Sequence, residues 1–295
     1  MPAVRFAMSA FPGSRGDIWN SIVNGRLDWR ALDFVQQAHF GFSFAGNTSD
    51  VIQRYIYFFG YWEPPLDAVI SAYLQPGDTF VDVGANIGYF SLLAASRVGP
   101  NGSVYSFEAA GRTFAKLNAN VQRNAQGSVI HAIHSCVADK DGTLTLHSGP
   151  DDNCGMASVL REGGTTEVVE AHPLGKLLPE NALRGAKLIK VDVEGAEEMV
   201  VAGIEPDLPQ ITADFVVELS PGVAPSEGVL DVFARSGRHA YEVVPTDSMA
   251  NYFAAPLEPA VRPLTSLLTR RSDILFSFRT PSELRSLGIA CLPAE

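Results

Sequence analysis

Four apolar runs in this sequence carry acids at or near their ends. Asp82 sits in FVDVG, two residues ahead of the turn Gly84-Ala85-Asn86-Ile87-Gly88. Glu108 lies at the end of SVYSFEA, about one strand-plus-helix unit later. Asp192 and Glu194 stand two apart in KVDVEGAE, and Glu218 lies near the end of DFVVELS. Gly84 can let the backbone approach a bound molecule, and Gly88 can let the following helix pack close to its strand. A carboxylate such as Glu108 can accept both hydroxyls of a ribose. Acids two apart share a face where a strand runs that far.

The elements that position these acids follow from the pattern around them. Strands are expected at Thr79–Gly84, Ser103–Ala109, Ser128–Ser135, Ala186–Gly195, Asp214–Ser220, Tyr241–Pro245 and Asp273–Phe278. Helices are expected at Gly88–Val98, Arg112–Asn124, Ala196–Ala202 and Gly228–Arg235. That alternation predicts a doubly wound, mostly parallel α/β sheet. Ligands of such sheets bind outside the carboxyl ends of the strands, where these acids fall. Asp141-Gly142 reads as a hairpin turn. Residues 1–75 read as an added N-terminal lobe, serving as a lid or for dimerisation, 76–280 as the α/β domain and 281–295 as a tail. In the lobe, Asp17–Gln37 could hold one or two short helices and His39–Gly46 alternates like a strand. Ser49 or Asp50 is placed to cap a helix running through Phe59, and Leu66–Leu74 reads as a helix after the break at Pro64-Pro65.

Two cofactors place a ribose-binding acid after a glycine turn. A dinucleotide wants GxGxxG opening on a helix N-terminus. This turn is GxxxG, and Asp82 would sit poorly beside a diphosphate. S-adenosylmethionine brings an amino-acid end and a cationic sulfonium, and an acid such as Asp82 suits the ammonium of that end, directly or through water. S-adenosylmethionine fits best, with a dinucleotide and a turn that binds nothing left as alternatives.

The runs FVDVGANIGYFSLLAA, VYSFEAAGRTFAKLNANV, LIKVDVEGAEEMVVAG and DFVVEL together resemble the FkbM-type S-adenosylmethionine-dependent methyltransferases, over roughly residues 60 to 220. The resemblance implies a class I methyltransferase, Rossmann-like fold with a seven-stranded sheet in the order 3-2-1-4-5-7-6. It implies methyl transfer, usually to a hydroxyl oxygen, with sugars and polyketide-type natural products among the acceptors. By the same resemblance Asp82, Gly84, Asn86 and Gly88 fall on the cofactor loop and Glu108 on the ribose acid. Asp139 falls where the adenine is met, and Asp192 and Glu194 fall on the DVEGAE block. In the implied strand order Glu218 ends the neighbouring strand, so Asp192, Glu194 and Glu218 could act on a hydroxyl as a base, or converge to hold one Mg²⁺ through oxygen ligands. The chain reads Glu108-Ala109 where the family usually has Glu-Pro, and Leu174-Gly175 where it usually has Leu-Asp.

Bulk composition narrows the alternatives. The chain has 295 residues, 46% hydrophobic and 19% charged, with a formal net charge of −11. That is ample for a packed core. Lys and Arg form no run, which argues against a nucleic-acid partner. No segment reaches the length of a membrane span. Cys136, Cys154 and Cys291 are far apart and form no CxxC, so reduced thiols in a cytoplasmic protein are expected.

His134 and His172 are further base candidates, and Glu63 could reach the cofactor's amino-acid end. The loop Asp151–Ser158 is placed to cover an acceptor. The dense aromatic set from Phe40 to Trp62 reads mainly as core, with a lid, an acceptor wall or a homo-oligomer face as its other uses. The reading is a methyltransferase acting on a small-molecule hydroxyl, with Asp192 positioning or activating the acceptor. A nucleotide-dependent oxidoreductase and a catalytically inactive binding subunit are the rival readings.

Overall fold

A computed structural model describes residues 2–20, 31–147, 158–159, 165–221, 226–245 and 248–294. Among them the strands are β1 (Asp33–Gln37), β2 (Ser43–Asn47), β3 (Thr79–Val83), β4 (Ser103–Glu108), β5 (Ile130–His134), β6 (Cys136–Val137) and β7 (Gly142–His147). There follow β8 (Thr166–His172), β9 (Ala186–Val191), β10 (Asp214–Leu219), β11 (His239–Val244), β12 (Ala260–Pro263), β13 (Ser272–Ser277) and β14 (Ala290–Cys291). Nine of them form one sheet in the order β14-β12-β11-β13-β10-β9-β3-β4-β5. Strands β5, β4, β3, β9 and β10 run parallel, and β13 pairs antiparallel with both β10 and β11. Setting aside the edge strands β12 and β14, chain order across the sheet reads 3-2-1-4-5-7-6. The two edge strands carry the sheet beyond the seven expected. The chain reverses its direction of progress at β3, between β4 and β9, which opens a crevice at their carboxyl ends.

The strand sequences explain their burial. In β3, Phe80 faces one side of the sheet and Val81 and Val83 the other, each at most 1% exposed. On the Phe80 side lie the helices Pro64–Tyr73, Tyr89–Val98 and Gly111–Arg123. On the other lie Glu197–Ile204 and Ser226–Arg235. A separate three-stranded sheet, β6-β8-β7, stands beside the crevice.

The N-terminal part departs from expectation in two places. Asp33–Gln37, within a stretch read as helical, is strand β1, paired antiparallel with β2. The span His39–Gly46 is not one strand: Gly41, at φ +95°, turns the chain and Ala38 N–H donates to Phe42 O at 2.8 Å. Alternation of aromatic and polar residues resembles a single strand, and only the left-handed glycine breaks it. Asp50 caps the helix Val51–Phe59, its carboxylate accepting from Gln53 N–H at 3.0 Å, and Gly60 ends it in a left-handed conformation. The aromatic set is mostly packed within the fold. Phe40 and Phe44 meet Tyr89 at centroid distances of 5.3 and 5.9 Å, and Tyr55 stacks on Tyr252 at 4.6 Å.

Gly84 shows how tightly the two strand ends meet. Its φ is +81°, and an added Cβ would lie 1.7 Å from the carbonyl oxygen of Asp192. Gly77 has φ +90° but nothing within 4 Å of that space. Gly77→Ala is therefore expected to cost about 1–2 kcal/mol, the left-handed strain alone. Gly84→Ala is expected to cost about 1–3 kcal/mol more, from overpacking. Urea unfolding of both variants measures the difference, and equal costs would remove the close approach as the reason for this glycine.

Candidate active site

The turn after β3 is built by backbone bonds to its neighbours. Gly84 and Ala85 N–H groups both donate to Phe107 O, at 3.0 and 2.9 Å, and Asp192 N–H donates to Val83 O at 3.0 Å. The glycine at 84 is thus required by the Asp192 backbone. Asn86 takes φ +53° and its side-chain oxygen accepts from Ile87 N–H at 2.8 Å. Gly88, at φ +91°, admits Leu117 of the helix Gly111–Arg123, whose Cδ1 would lie 2.6 Å from an added Cβ.

Glu108 ends β4 with its carboxylate fixed on both oxygens. Asn86 N–H donates to Oε2 and Ala110 N–H to Oε1, each at 2.9 Å. Burial, opposed by those two donors, pushes its pKa up to about 7. Two of the candidate residues, Asn86 and Glu108, are therefore directly bonded.

Asp82 lies elsewhere than the sequence reading has it. It shares its face of β3 with Phe80, beneath the helix Tyr89–Val98, and is fully buried. Ser91 Oγ donates to Asp82 Oδ2 at 2.6 Å, and the Ser91 and Ser106 hydroxyls are 2.8 Å apart. Lys190 Nζ lies 3.9 Å from Asp82 Oδ1 and donates to Asp192 Oδ2 at 3.0 Å. Lys190 is 2% exposed, with its ammonium 5.2 Å from the Phe90 ring centroid. Burial alone would lower its pKa, but Asp192, Asp82 and Glu63 hold it above the ordinary value. Asp82 is a buried support, already partnered by Lys190, and makes no open contact surface for an ammonium.

Asp192, Glu194 and Glu218 do converge. Burial works against ionising Asp192, but Lys190 and Arg271 hold its pKa below the usual range. Glu218 goes the other way, raised well above that range by burial and by the Asp192 charge, despite Arg271. Arg271 Nε donates to Glu218 Oε1, and its Nη2 lies 3.6 Å from Glu194 Oε1. Glu194 takes φ +55°, and its carbonyl accepts from Ser158 Oγ at 3.0 Å. Glu197 ties this turn down: its Oε1 accepts from both Val193 and Gly195 N–H groups at 3.0 Å. The helix-start acid is thus a loop clamp.

Three adjoining cavities run along this line. The first is lined by Gly84, Asn86, Glu108 and Asp192 with the apolar Val83, Phe107, Val137 and Leu146. The second lies among Trp62, Glu63, Lys190, Asp192, Glu194 and Arg271. The third, the largest of these three, includes Trp62, Glu63, Glu194, Glu218, Arg271 and Asp273 in its walls. Glu63, held at φ +43° with its N–H donating to the Tyr252 hydroxyl at 3.1 Å, borders the second and third.

Other candidates stand apart. Asp139 is exposed, with its carboxylate 3.8 Å from Lys140, and lines none of the three cavities. The chain instead presents Ser135, Cys136 and Val137 there. His172 points Nδ1 at Asp141, 2.9 Å away, on the β6-β8-β7 sheet, outside the cavities. His134 Nε2 is 3.0 Å from Ala109 O. Of the loop 151–158 only Ser158 lies among the described residues. Cys154 is outside them, and Cys136 and Cys291 are free thiols. The sequence reading missed Lys190, Arg271 and the β7 wall, while Trp62, named in the aromatic set, lines the second and third cavities. Lys190 carried a signal, since a lysine in an otherwise apolar strand must find buried acids.

The carboxylates of Asp192, Glu197 and Glu218 lie within 4.8 Å of one another. They do not suit Mg²⁺, because Lys190 holds Asp192, Arg271 holds Glu218 and two backbone donors hold Glu197. A divalent ion would have to displace two cations already in place.

Removing the buried cation leaves two buried carboxylates without it. Lys190→Met is expected to cost about 3–5 kcal/mol in urea unfolding, and adding Asp82→Asn to recover part of that loss. An unaffected midpoint for Lys190→Met would show that the cluster is not coupled.

Residues 82–249 match the methyltransferase FkbM domain family. "Methyltransferase 1" of Beauveria bassiana is 29% identical over 164 residues, 49% of this chain and 66% of that protein. The "31-O-demethyl-FK506 methyltransferase FkbM" of Streptomyces tacrolimicus is 31% identical over 176 residues, 48% of this chain and 66% of that protein. The chain thus spans just under two thirds of the length of these relatives. A crystal structure of methyltransferase FkbM from Methylobacillus flagellatus is 12% identical with a TM-score of 0.45, over 70% of this chain and 47% of that one. No helix among the described residues is long and apolar enough to cross a membrane. With more than half of its length matched, the chain belongs to the FkbM methyltransferase domain family.

Proposed function

We propose that this chain is a cytoplasmic S-adenosylmethionine-dependent methyltransferase that methylates a hydroxyl oxygen of a small molecule, a sugar or a secondary metabolite. The observation that carries the reading is Glu108, a carboxylate clamped by two backbone donors at a crevice with mostly apolar walls. Such a group accepts ribose hydroxyls, and Val83, Phe107, Val137 and Leu146 offer apolar surface to an adenine. Glu63, Asp192 and Glu194 line the adjoining cavity together with Lys190 and Arg271, and three acids there suit the ammonium of an amino-acid end better than a diphosphate. The donor set therefore fits S-adenosylmethionine better than a dinucleotide. Bound there, S-adenosylmethionine would supply an electrophilic methyl group. The name of the Streptomyces relative supports an oxygen acceptor on a natural product.

A neutral hydroxyl needs a base within hydrogen-bond reach. Asp192, kept ionised by Lys190, borders the cofactor cavities, and Glu218, with its raised pKa, borders the large cleft. Under this reading Asp192, held ionised, orients the acceptor or takes its proton, and Glu218, biased towards its neutral form, borders the acceptor's cleft. Positioning of the oxygen in line with the methyl supplies much of the rate.

Glu108→Ala is expected to weaken S-adenosylhomocysteine binding by well over tenfold, at least the value of about one charge-assisted hydrogen bond, as read by calorimetry. An unchanged affinity would count against the assignment. The Glu108 pKa of about 7 sets a pH dependence. Ribose donors bind the ionised form, so affinity should be full above that pKa and fall as pH drops through it, by up to about tenfold per unit. Glu108→Gln should flatten the profile. A labelled-methyl assay on a sugar and metabolite panel should show transfer that EDTA does not abolish. Transfer lost on EDTA and restored by a divalent ion would overturn the metal-free reading.

A further inference from the structure

The cavity between the glycine turn and the large cleft is lined by three acids, Glu63, Asp192 and Glu194. Among the described residues its walls also hold two cations, Lys190 and Arg271. Under the S-adenosylmethionine reading this cavity receives the amino-acid end of the cofactor, which bears an ammonium and an α-carboxylate. The ammonium has acids to meet. The carboxylate enters a negatively charged neighbourhood and needs a cation, or the repulsion would expel it.

Lys190 is not available for that task. Its side chain is 3% exposed, with the ammonium 3.0 Å from Asp192, 3.9 Å from Asp82 and 5.2 Å from the Phe90 ring centroid. Turning it outward would leave Asp82 buried without its cation. Arg271 differs in each respect. Its side chain is 48% exposed, it stands just ahead of β13, and it lines both this cavity and the large cleft. Its Nε meets Glu218 and its Nη2 is 3.6 Å from Glu194. A guanidinium carries five donors in a planar fork, so these contacts leave further N–H groups for a carboxylate.

We propose that Arg271 anchors the α-carboxylate of the cofactor's methionine end, while Glu63 and Glu194 receive its ammonium. The proposal rests on the S-adenosylmethionine reading above and goes beyond it by naming the group that discriminates a complete amino-acid end. Because Arg271 also walls the large cleft, the anchored cofactor would fix one side of the acceptor site.

The test compares S-adenosylhomocysteine with its decarboxylated analogue, which keeps the adenosine, thioether and amine. Calorimetry on the wild-type protein is expected to favour S-adenosylhomocysteine by about tenfold to a hundredfold. Arg271→Met should bind the two ligands alike, with the loss falling on S-adenosylhomocysteine and the analogue's affinity unchanged. Arg271→Lys should restore part of the preference, since it returns the charge without the fork. A thermal melt of each variant establishes that it is folded. Arg271→Met retaining the full wild-type preference, or losing affinity for both ligands equally, would overturn the anchor. A wild-type protein that binds both ligands equally overturns the anchor and leaves the cofactor reading standing. A wild-type protein that binds neither overturns both.

Discussion

The ammonium of Lys190 lies 3.0 Å from Asp192 and 3.9 Å from Asp82, acids carried by two neighbouring strands. In the parallel register Ser106, Asp82 and Lys190 stand side by side across β4, β3 and β9. All three face the helix Tyr89–Val98, whose Ser91 donates to Asp82. Such a buried group is weak evidence for net stability, because desolvation offsets much of the attraction. Its consequence is positional. The row fixes the two strand ends that flank the crevice, and it holds Asp192 in a defined, ionised state at the mouth.

The remaining charges follow from that arrangement. Asp192, next to Lys190, is held down in pKa, and Glu218, buried beside the Asp192 charge, is driven up. Two carboxylates pushed apart in this way can divide orientation and proton acceptance between them. Arg271 then bridges Glu218 and Glu194 where the second cavity meets the large cleft. The cluster is thus charge-matched by side chains, which is why it makes a poor cradle for a divalent ion.

Much of this is legible in the sequence, and the boundary of legibility has physical causes. Apolar runs with acids at their ends announced β3, β4, β9 and β10, because a strand buried on both faces has few residue choices. Glu108 was readable since it falls at a strand end on the crevice side. Asp82 was misplaced by the same logic: it shares the parity of Phe80, which puts it under a helix. Asp139 was carried over by resemblance and lies exposed beside Lys140. Arg271 had no local signal, as its meaning comes from the antiparallel return of β13 next to β10. The β7 wall, with Leu146 in the crevice, depends likewise on how a separate sheet docks, which no local pattern encodes.

The central claim is that an adenosyl group occupies the crevice between β3, β4 and the Asp192 turn, with its ribose on Glu108. A crystal structure with S-adenosylhomocysteine tests it most directly. The account requires both ribose hydroxyls within hydrogen-bond distance of the Glu108 carboxylate, and the adenine against Val137 and Leu146. A crevice filled by the protein's own side chains, or a ligand whose ribose turns away from Glu108, would contradict it.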